Sequence, residues 1–294
     1  MNNSSYQEWR NAKLKSYPQS VDELFVEIAG LVGLSDAEIA AIKANCRRSN
    51  MAIYKCRDDF VDRAAVCAFA SNFGLLRLDH HLCANEDGVS ELSVASRGIR
   101  TGYVPYSNRS LSWHTDGYYN DPSSQVRAVV LHCARSAAAG GENALLDPEI
   151  AYIRLRDENP AFVTALEHPE CMTIPANSDP ANSDPAKTGA QGEIRPAVCG
   201  PVFSRDPRSG ALHMRYSARK INIQWRDDEI TRAARDFLAE ILGSDKGPVF
   251  RYRLGPGEGL ISNNVLHNRT AFKDKPDHKR LLYRARFHDR MASK

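Results

Sequence analysis

Disulfide bonds and structural zinc sites find no support in this sequence, which has seven scattered cysteines and no Cys-x-x-Cys pair. An odd number of isolated thiols is typical of a protein in a reducing cytoplasm rather than of a secreted, disulfide-bonded domain. No apolar run approaches the roughly 20 residues that a membrane-spanning helix needs. The segment from Met1 to Trp9 lacks the apolar core of a signal peptide. We therefore expect a cytoplasmic protein with no membrane partner.

An excess of charge of one sign is also lacking. The 39 Lys and Arg residues nearly balance the 36 Asp and Glu residues, which leaves a net charge of +3. The densest basic cluster, Arg10 to Lys15, is interrupted by Asn, Ala and Leu. We therefore expect no nucleic-acid partner. A hydrophobic content of 42% and a charged content of 26% over 294 residues are typical of a globular protein.

Helical signals dominate the start of the chain. Ser20 to Gly30 has apolar residues at helical spacing, and Ser35-Asp-Ala-Glu38 is a capping box that opens a helix through about Arg47. Asp58 or Asp59 is expected to cap a further helix that ends near Phe73. These patterns predict an N-terminal helical region over residues 1–49 that packs on the remainder of the chain.

Short strand patterns dominate residues 50–294. They include Met51 to Tyr54 and Leu75 to Leu78, and helical signals interrupt them after Asp147, after Asn159 and from Asp227 to Leu242. No regular strand–helix alternation runs through the chain. We therefore predict a mainly β sandwich or barrel with helical decoration.

A small, polar and proline-rich segment lies at about residues 171–200. Within it, Ala176-Asn-Ser-Asp-Pro180 is repeated at once as Ala181-Asn-Ser-Asp-Pro185. Long loops of this kind in compact domains are often lids over a site. A neutral insertion that arose by duplication explains the same pattern equally well.

The stretch Ser112-Trp-His-Thr-Asp-Gly-Tyr-Tyr119 suggests a metal site. On a strand, His114 and Asp116 would point to the same face because they are two residues apart. His267, in a later apolar segment, is the best candidate for a third ligand. Two imidazoles and one carboxylate are the donor set of non-heme Fe(II) oxygenases. A polar strand face without a metal is the alternative, since His-x-Asp pairs also occur by chance.

The strand pattern from Arg280 to Phe287 places Arg280, Arg284 and Arg286 on one face. A solvent-exposed face would explain this, but so would the wall of a polar barrel interior. Arginine presents a fixed fork that suits a carboxylate. A 2-oxo acid that chelates Fe(II) needs a cation for its far carboxylate, and Arg280 is a candidate for that cation.

The motifs W-H-T-D-G-Y, G-G-E-N, S-N-N-V-L-H-N-R-T-A-F and R-L-L-Y-R-A-R occur in this order. Together they resemble the taurine dioxygenase/TfdA-like family of Fe(II)- and 2-oxoglutarate-dependent oxygenases. The resemblance covers roughly residues 50 to 290 and extends to γ-butyrobetaine hydroxylase and clavaminate synthase. It implies a double-stranded β-helix, or jelly-roll, core.

The resemblance also implies roles for individual residues. His114, Asp116 and His267 match the iron ligands, and Arg280 matches the arginine that binds the distal carboxylate of 2-oxoglutarate. Arg284 matches a second arginine, which contacts the co-substrate or an anionic substrate. Asn143 stands where the family places a threonine on 2-oxoglutarate, and its amide can still donate a hydrogen bond. The Asp116 carboxylate favours oxygenation, because halogenating relatives lack it.

The implied activity is hydroxylation of a small molecule with Fe(II), 2-oxoglutarate and dioxygen, releasing succinate and carbon dioxide. Desaturation, cyclisation or C–N or C–S cleavage at the same site stays open, and so does a β-barrel binding protein with a vestigial metal site. A small polar substrate, amino-acid-like or sulfonate-like, is the best interpretation, although the tyrosines could instead cage a cationic amine. The N-terminal helices could form a contact in a homo-oligomer. Candidate substrate residues are Tyr118, Tyr119, Asn120, Arg284 and Arg286.

Overall fold

The computed structural model describes residues 3–57, 61–178, 193–206, 209–219, 223–244 and 247–291. These residues form a mixture of helices and sheets. No helix among them is long and apolar enough to cross a membrane. Four short 3-10 helices lie at Val21–Leu24, Ile99–Gly102, Val104–Tyr106 and Pro122–Ser124. The α-helices are α1 (Asn3–Ser16), α2 (Asp36–Ser49), α3 (Arg63–Ser71), α4 (Pro148–Glu158), α5 (Pro160–Leu166) and α6 (Glu229–Gly243).

The strands are β1 (Phe25–Ile28), β2 (Met51–Cys56), β3 (Ser90–Leu92), β4 (Leu111–His114), β5 (Ala128–Arg135), β6 (Ala139–Gly140), β7 (Asn143–Leu146), β8 (Met172–Ile174), β9 (Asn177–Ser178), β10 (Glu193–Arg195), β11 (Val198–Gly200), β12 (Phe203–Arg205), β13 (Leu212–Met214), β14 (Gln224–Trp225), β15 (Phe250–Tyr252), β16 (Glu258–Ser262), β17 (Leu266–Arg269), β18 (Phe272–Lys273) and β19 (Leu281–Phe287). Among the described residues, the two largest sheets have six and four strands. The larger has the order β1-β2-β16-β5-β19-β3, and the smaller has the order β15-β7-β17-β4.

The larger sheet is covered on both faces. One face packs on α2 and α3, and Ala285 and Phe287 of β19 belong to that core. On the other face, Leu282 of β19 joins a second core with Leu145 and Leu266 of the smaller sheet. The alternation that the sequence shows in β19 therefore separates an apolar face under helices from a face directed at the smaller sheet.

The chain passes from the larger to the smaller sheet between β16 and β17. Ser262 ends β16 and Leu266 begins β17, so a short connection switches sheets. Asn264 in this connection has φ 54°, a left-handed conformation that asparagine tolerates better than most residues. The turn at Asn264 thus separates β16 from β17, the strand that carries His267.

Three expectations about local structure were wrong. The segment from Ser20 to Gly30 is a 3-10 turn followed by β1, because β1 pairs in parallel with β2 and tertiary pairing overrides a short helical pattern. The run Leu75 to Leu78 makes a single bridge, between Leu78 and Phe287, rather than a strand. Helix α3 begins at Arg63 with Asp62 as its cap, and Asp58 and Asp59 lie outside the described residues.

The N-terminal region packs tightly on the remainder of the chain. Lys13 of α1 is buried and forms ion pairs with Asp147 at 2.6 Å and with Glu149 at 2.5 Å, at the start of α4. The Tyr6 hydroxyl donates a hydrogen bond to Asp157 at the far end of that helix, at 2.8 Å. Because β1 lies in the larger sheet, the first 49 residues supply a strand as well as helices.

The capping box at Ser35 and Glu38 is present as predicted, and so is the amphipathic helix α6, which Asp228 caps.

The region at 171–200 contains β8 to β11, and its residues 179–192 lie outside the described residues. Of the 30 residues of the predicted lid, 14 lie outside the described residues.

Candidate metal centre

Two adjacent strands of the smaller sheet bring the predicted metal ligands together. His114 ends β4, and His267 lies directly opposite it on β17 in the antiparallel register. Asp116 follows in the turn after β4, so it does not share the strand as the sequence pattern had suggested. One ligand atom from each of the three side chains lies within 4.8 Å of the other two. The fold thus brings together residues that are far apart in the sequence: His114 and His267 are separated by 153 positions.

Hydrogen bonds fix the orientation of both imidazoles. His114 Nδ1 donates to the Ser112 carbonyl at 2.8 Å, and His267 Nδ1 donates to the Val265 carbonyl at 2.9 Å. Because a carbonyl oxygen only accepts, Nδ1 of each ring carries a proton. Each Nε2 is then left with the lone pair that a metal ion requires.

The protonation states also suit metal binding. Burial, together with the nearby His267, lowers the pKa of His114 to about 3, so its ring is neutral at physiological pH. Burial alone would raise the pKa of Asp116, but Arg284 and Arg286 outweigh it and hold that pKa below its ordinary value. The guanidinium of Arg284 lies 3.1 Å from Asp116 Oδ1, and that of Arg286 lies 3.8 Å from it.

The second carboxylate oxygen of Asp116 has no partner. Asp116 is 5% exposed, and its Oδ2 is buried without a hydrogen bond within the described part of the chain. Burying an ionised oxygen without a partner is unfavourable, so an unsatisfied group of this kind calls for a bound cation. Two imidazole nitrogens and one carboxylate oxygen fit Fe(II), which this donor set binds with further positions open.

Asn264 is a residue of the site that the sequence reasoning missed. Its Oδ1 accepts a hydrogen bond from the Asp116 backbone N–H at 2.8 Å, and its Nδ2 donates to the Asp116 carbonyl at 2.9 Å. The amide of Asn264 therefore clamps the turn that presents Asp116. A positive φ at a non-glycine residue cannot be read from the sequence. The Asn263-Asn264 pair shortly before His267 was nevertheless a signal for a turn, because asparagine tolerates the left-handed conformation.

A second group of polar side chains suits a carboxylate. Arg280 is 4% exposed, and its Nη1 is buried without a partner among the described residues. Arg280 and Asn143 line one small cavity with Gly140 and Gly141. At Gly141 a Cβ atom would lie 3.8 Å from Arg280 Nε, so the missing side chain leaves the guanidinium open. An anion placed here would meet an unsatisfied guanidinium, as expected for the distal carboxylate of 2-oxoglutarate.

Arg269 is a further cation at this end of the site, which the sequence reasoning also missed. Arg269 and Arg280 both lie over the ring of Phe272, at 4.8 and 4.9 Å from its centroid. Burial and the neighbouring Arg280 lower the pKa of Arg269 to about 10. Arg269 donates to the backbone carbonyls of Ser107 and Arg109. Two guanidiniums over one aromatic ring make this end of the site strongly positive.

Most of the predicted substrate residues are tied into the wall of the site. Arg286 is 2% exposed, pairs with Asp79 and donates to the Tyr119 hydroxyl at 3.0 Å. Asn120 donates to Asp79 Oδ1, also at 3.0 Å. Asp79, which directly precedes the His80-His81 pair, was not expected to take part. Through these contacts Arg286 and Asn120 fix neighbouring side chains of the site wall instead of pointing free donors at a substrate.

The remaining predicted substrate residue, Tyr118, lies beside the metal ligands. Its ring packs edge-on to His114 with centroids 6.4 Å apart, and its neighbour Tyr119 lies 5.2 Å away. Burial raises the pKa of the Tyr118 hydroxyl, and Arg219 and Arg195 oppose that shift. Aromatic and cationic groups therefore meet at this side of the centre.

Two histidines and one carboxylate that converge, near an arginine whose Nη1 has no partner among the described residues, are the donor set of mononuclear non-heme iron centres of the 2-oxoglutarate-dependent class. Comparison with known families agrees. Residues 56–286 match the model of the family described as "Taurine catabolism dioxygenase TauD, TfdA family". The chain belongs to this family, whose enzymes use Fe(II), 2-oxoglutarate and dioxygen.

Three individual proteins that are similar to this chain share 15–30% sequence identity with it. A uridine-5'-phosphate dioxygenase from Amycolatopsis sp is 30% identical over 185 residues, which cover 59% of this chain and 59% of that protein. A taurine dioxygenase from Burkholderia xenovorans has a similar structure with a TM-score of 0.58 and 20% identity, covering 92% of this chain and 88% of that one. AAD-2, solved with Mn(II) and N-oxalylglycine, gives a TM-score of 0.60 at 15% identity over 95% and 98% of the two chains.

Proposed function

We propose that this chain is a Fe(II)- and 2-oxoglutarate-dependent dioxygenase that hydroxylates a small polar metabolite and releases succinate and carbon dioxide. The observation that carries the proposal is the cluster of His114, Asp116 and His267, with two oriented Nε2 atoms and one buried, unpaired carboxylate oxygen. The unsatisfied guanidinium of Arg280 supplies the place for the co-substrate. Family membership supports both assignments.

In this proposal the chain's own residues bind, orient and shield. His114, Asp116 and His267 hold the iron, which supplies the oxidising chemistry together with 2-oxoglutarate and dioxygen. Arg280 binds the distal carboxylate, and the Asn143 amide donates a further hydrogen bond to it. Arg284 holds Asp116 ionised, so the carboxylate stays available to the metal. Tyr118 covers one side of the His114 ring and excludes water there.

The fold belongs to the proposal as well. The two sheets that face each other across Leu145, Leu266 and Leu282 would be the halves of a double-stranded β-helix, as in the family. Residues 1–49 would brace this core, and residues 50–294 would form the oxygenase domain with a lid at about 171–200. Assembly into a homo-oligomer stays a prediction.

Three classes of substrate are worth testing first. The cationic and aromatic groups around Tyr118 suit an anionic metabolite, either amino-acid-like or sulfonate-like. A nucleoside phosphate is the third candidate, because a relative that is 30% identical is named a uridine-5'-phosphate dioxygenase. Succinate release with each class would rank them. The mass of the product would separate hydroxylation from desaturation, cyclisation or cleavage.

The deciding experiment is an anaerobic titration of the metal-free protein with Fe(II) and then 2-oxoglutarate, followed by visible absorbance. We expect a metal-to-ligand charge-transfer band in the wild type. The band should be lost in Arg280→Ala and retained in Arg154→Ala, which removes an exposed arginine of α4. A folded wild-type protein that gives no band would overturn the proposed co-substrate and favour a binding protein with a vestigial metal site.

The metal ligands are tested separately. His114→Ala should abolish Fe(II) binding and succinate formation, because one of three donors is removed. Its circular dichroism and thermal unfolding should match those of the wild type. Collapse of the fold in His114→Ala, with full metal binding in a folded His267→Ala variant, would show that the cluster is structural rather than a metal site.

A further inference from the structure

A second charged site lies away from the metal ligands, at the junction of α1, α2, α4 and the segment that follows β19. A cavity of about 240 Å³ is lined there by four basic side chains and by one carboxylate, that of Glu149. None of the proposed iron or co-substrate ligands lines it. The basic residues are Lys43, Arg47, Arg205 and Arg290.

Arg290 is the member of this group that has a buried nitrogen without a partner among the described residues. Its Nη2 donates to the side-chain oxygen of Asn50 at 2.6 Å, and its Nε is buried without a partner in the described ranges. No ion pair joins it to a carboxylate of those ranges. Burial lowers the pKa of Arg290, and the charges of Glu149, Asp147 and Asp206 oppose that shift without reversing it.

The nearest carboxylates are already engaged. Asp147 and Glu149 both pair with Lys13, at 2.6 and 2.5 Å. Asn50 donates to Asp147 Oδ1 at 2.9 Å, so a neutral amide stands between that carboxylate and Arg290. A neutral oxygen satisfies one hydrogen bond of Arg290 but leaves the charge in place.

The remaining cations are positioned around the same space. Lys43 is half-buried and Arg47 is exposed, one turn apart on α2, and neither forms an ion pair within the described residues. Arg205 donates to the Gly210 carbonyl at 3.2 Å and lies 5.8 Å from the centroid of the Tyr152 ring, and it forms no ion pair within the described ranges. Asn263, also on the cavity wall, donates to Asn50 and fixes the acceptor that Arg290 uses.

We propose that this cavity is a binding site for a small dianionic oxyanion, either inorganic phosphate or a phosphomonoester, with Arg290 as its buried anchor and Lys43 and Arg47 as its outer contacts. The cavity has room for such an anion. A planar guanidinium with unsatisfied donors is the group that proteins use for phosphate. The two negative charges of such an anion would face the positive charges of Arg290, Lys43 and Arg47.

The test is isothermal titration calorimetry of the full-length protein with inorganic phosphate. We expect binding that weakens at high ionic strength and that Arg290→Gln weakens at least about tenfold, since a charge-assisted hydrogen bond is lost. Lys43→Gln combined with Arg47→Gln should weaken it by a similar factor. This pair lies on the surface side of α2, so it decides the matter if Arg290→Gln fails to fold.

Two control variants test whether phosphate binds in this cavity. Arg280→Ala should bind phosphate as the wild type does, because it alters only the proposed co-substrate site, and Arg154→Gln should do the same as a surface charge change. Parallel titration with glycerol phosphate distinguishes an organic phosphomonoester, which would bind more tightly, from free phosphate. Absence of phosphate binding in the wild type would overturn the proposal. Binding that survives the Arg290 and α2 changes, or that Arg280→Ala abolishes, would also overturn it.

Discussion

The negative charge of the buried Asp116 carboxylate depends on individual neighbouring residues. One of its oxygens faces the guanidinium of Arg284, and the other is left without a partner. The arginine keeps the carboxylate ionised, and the free oxygen is the one that a metal would take. Arg286 lies 3.8 Å from the same carboxylate and also forms an ion pair with Asp79. The affinity of Asp116 for a metal ion would therefore depend on residues that do not touch the metal.

Asn264 is the residue whose removal tests this dependence most directly. Asn264→Ala removes both hydrogen bonds to the Asp116 backbone, and we expect Fe(II) affinity to fall by about tenfold to a hundredfold, the usual effect of losing support behind a ligand. Anaerobic Fe(II) titration measures the change. Binding of 2-oxoglutarate analogues should weaken in parallel.

A glycine at the same position separates the amide from the backbone conformation. Asn264 has φ 54°, which alanine adopts at a cost of about 1–2 kcal/mol and glycine adopts freely. If the amide matters, Asn264→Gly should lose as much Fe(II) affinity as Asn264→Ala. Wild-type affinity in the glycine variant would show that only the left-handed turn is required.

At the scale of secondary structure elements, β16 lies between β2 and β5 in the larger sheet, and one of its residues is a glycine that a neighbouring side chain crosses. Gly259 is paired with Tyr54 on β2 and with His132 on β5. The Tyr54 ring crosses over Gly259, and its hydroxyl lies 3.2 Å from His132 Nδ1. The glycine thus allows a buried hydrogen bond to span three strands.

Gly259→Ala should strongly destabilise the protein. The added Cβ atom would lie 2.1 Å from Tyr54 Cζ and 2.7 Å from the backbone oxygen of Leu131, so both the ring and a strand would have to move. We expect the free energy of unfolding in urea to fall by about 2–3 kcal/mol. Gly243→Ala, at the end of α6 with no atom near its added Cβ, should change it little. Equal stabilities would mean that the sheet relaxes around Tyr54.

The elements also show which parts of the structure were predictable from sequence. The capping box of α2 and the alternation in β19 were recognised because each follows from a local rule of hydrogen bonding or of strand periodicity. Strand β1 was missed because only its parallel pairing with β2 decides its conformation. Within the site, motif spacing identified the three metal-binding candidates. Asp79 and Asn264 were not found, because their roles depend on contacts between segments distant in sequence.

At the scale of the whole molecule, the protein keeps several histidines neutral by burying them. Burial lowers the pKa of His132 to about 4 and that of His213 to about 3. For His213, the cations of Arg127 and Arg290 add to the effect. Both rings lie away from the proposed metal ligands and are at most 5% exposed. In the unfolded chain each would take up a proton near its ordinary pKa of about 6.5.

This difference predicts that stability falls on mild acidification. Between the folded and unfolded pKa values the unfolded chain binds more protons, so the free energy of unfolding decreases as the pH falls below about 6.5. From pH 7 to pH 5 each buried histidine should contribute a loss of about 2 kcal/mol at most. Urea unfolding of His213→Gln should show a correspondingly smaller loss, because glutamine does not titrate. His80→Gln, which removes an exposed histidine, should retain the wild-type pH dependence. An identical loss in His213→Gln would mean that His213 is protonated within the fold, and that Asp206 rather than burial sets its charge.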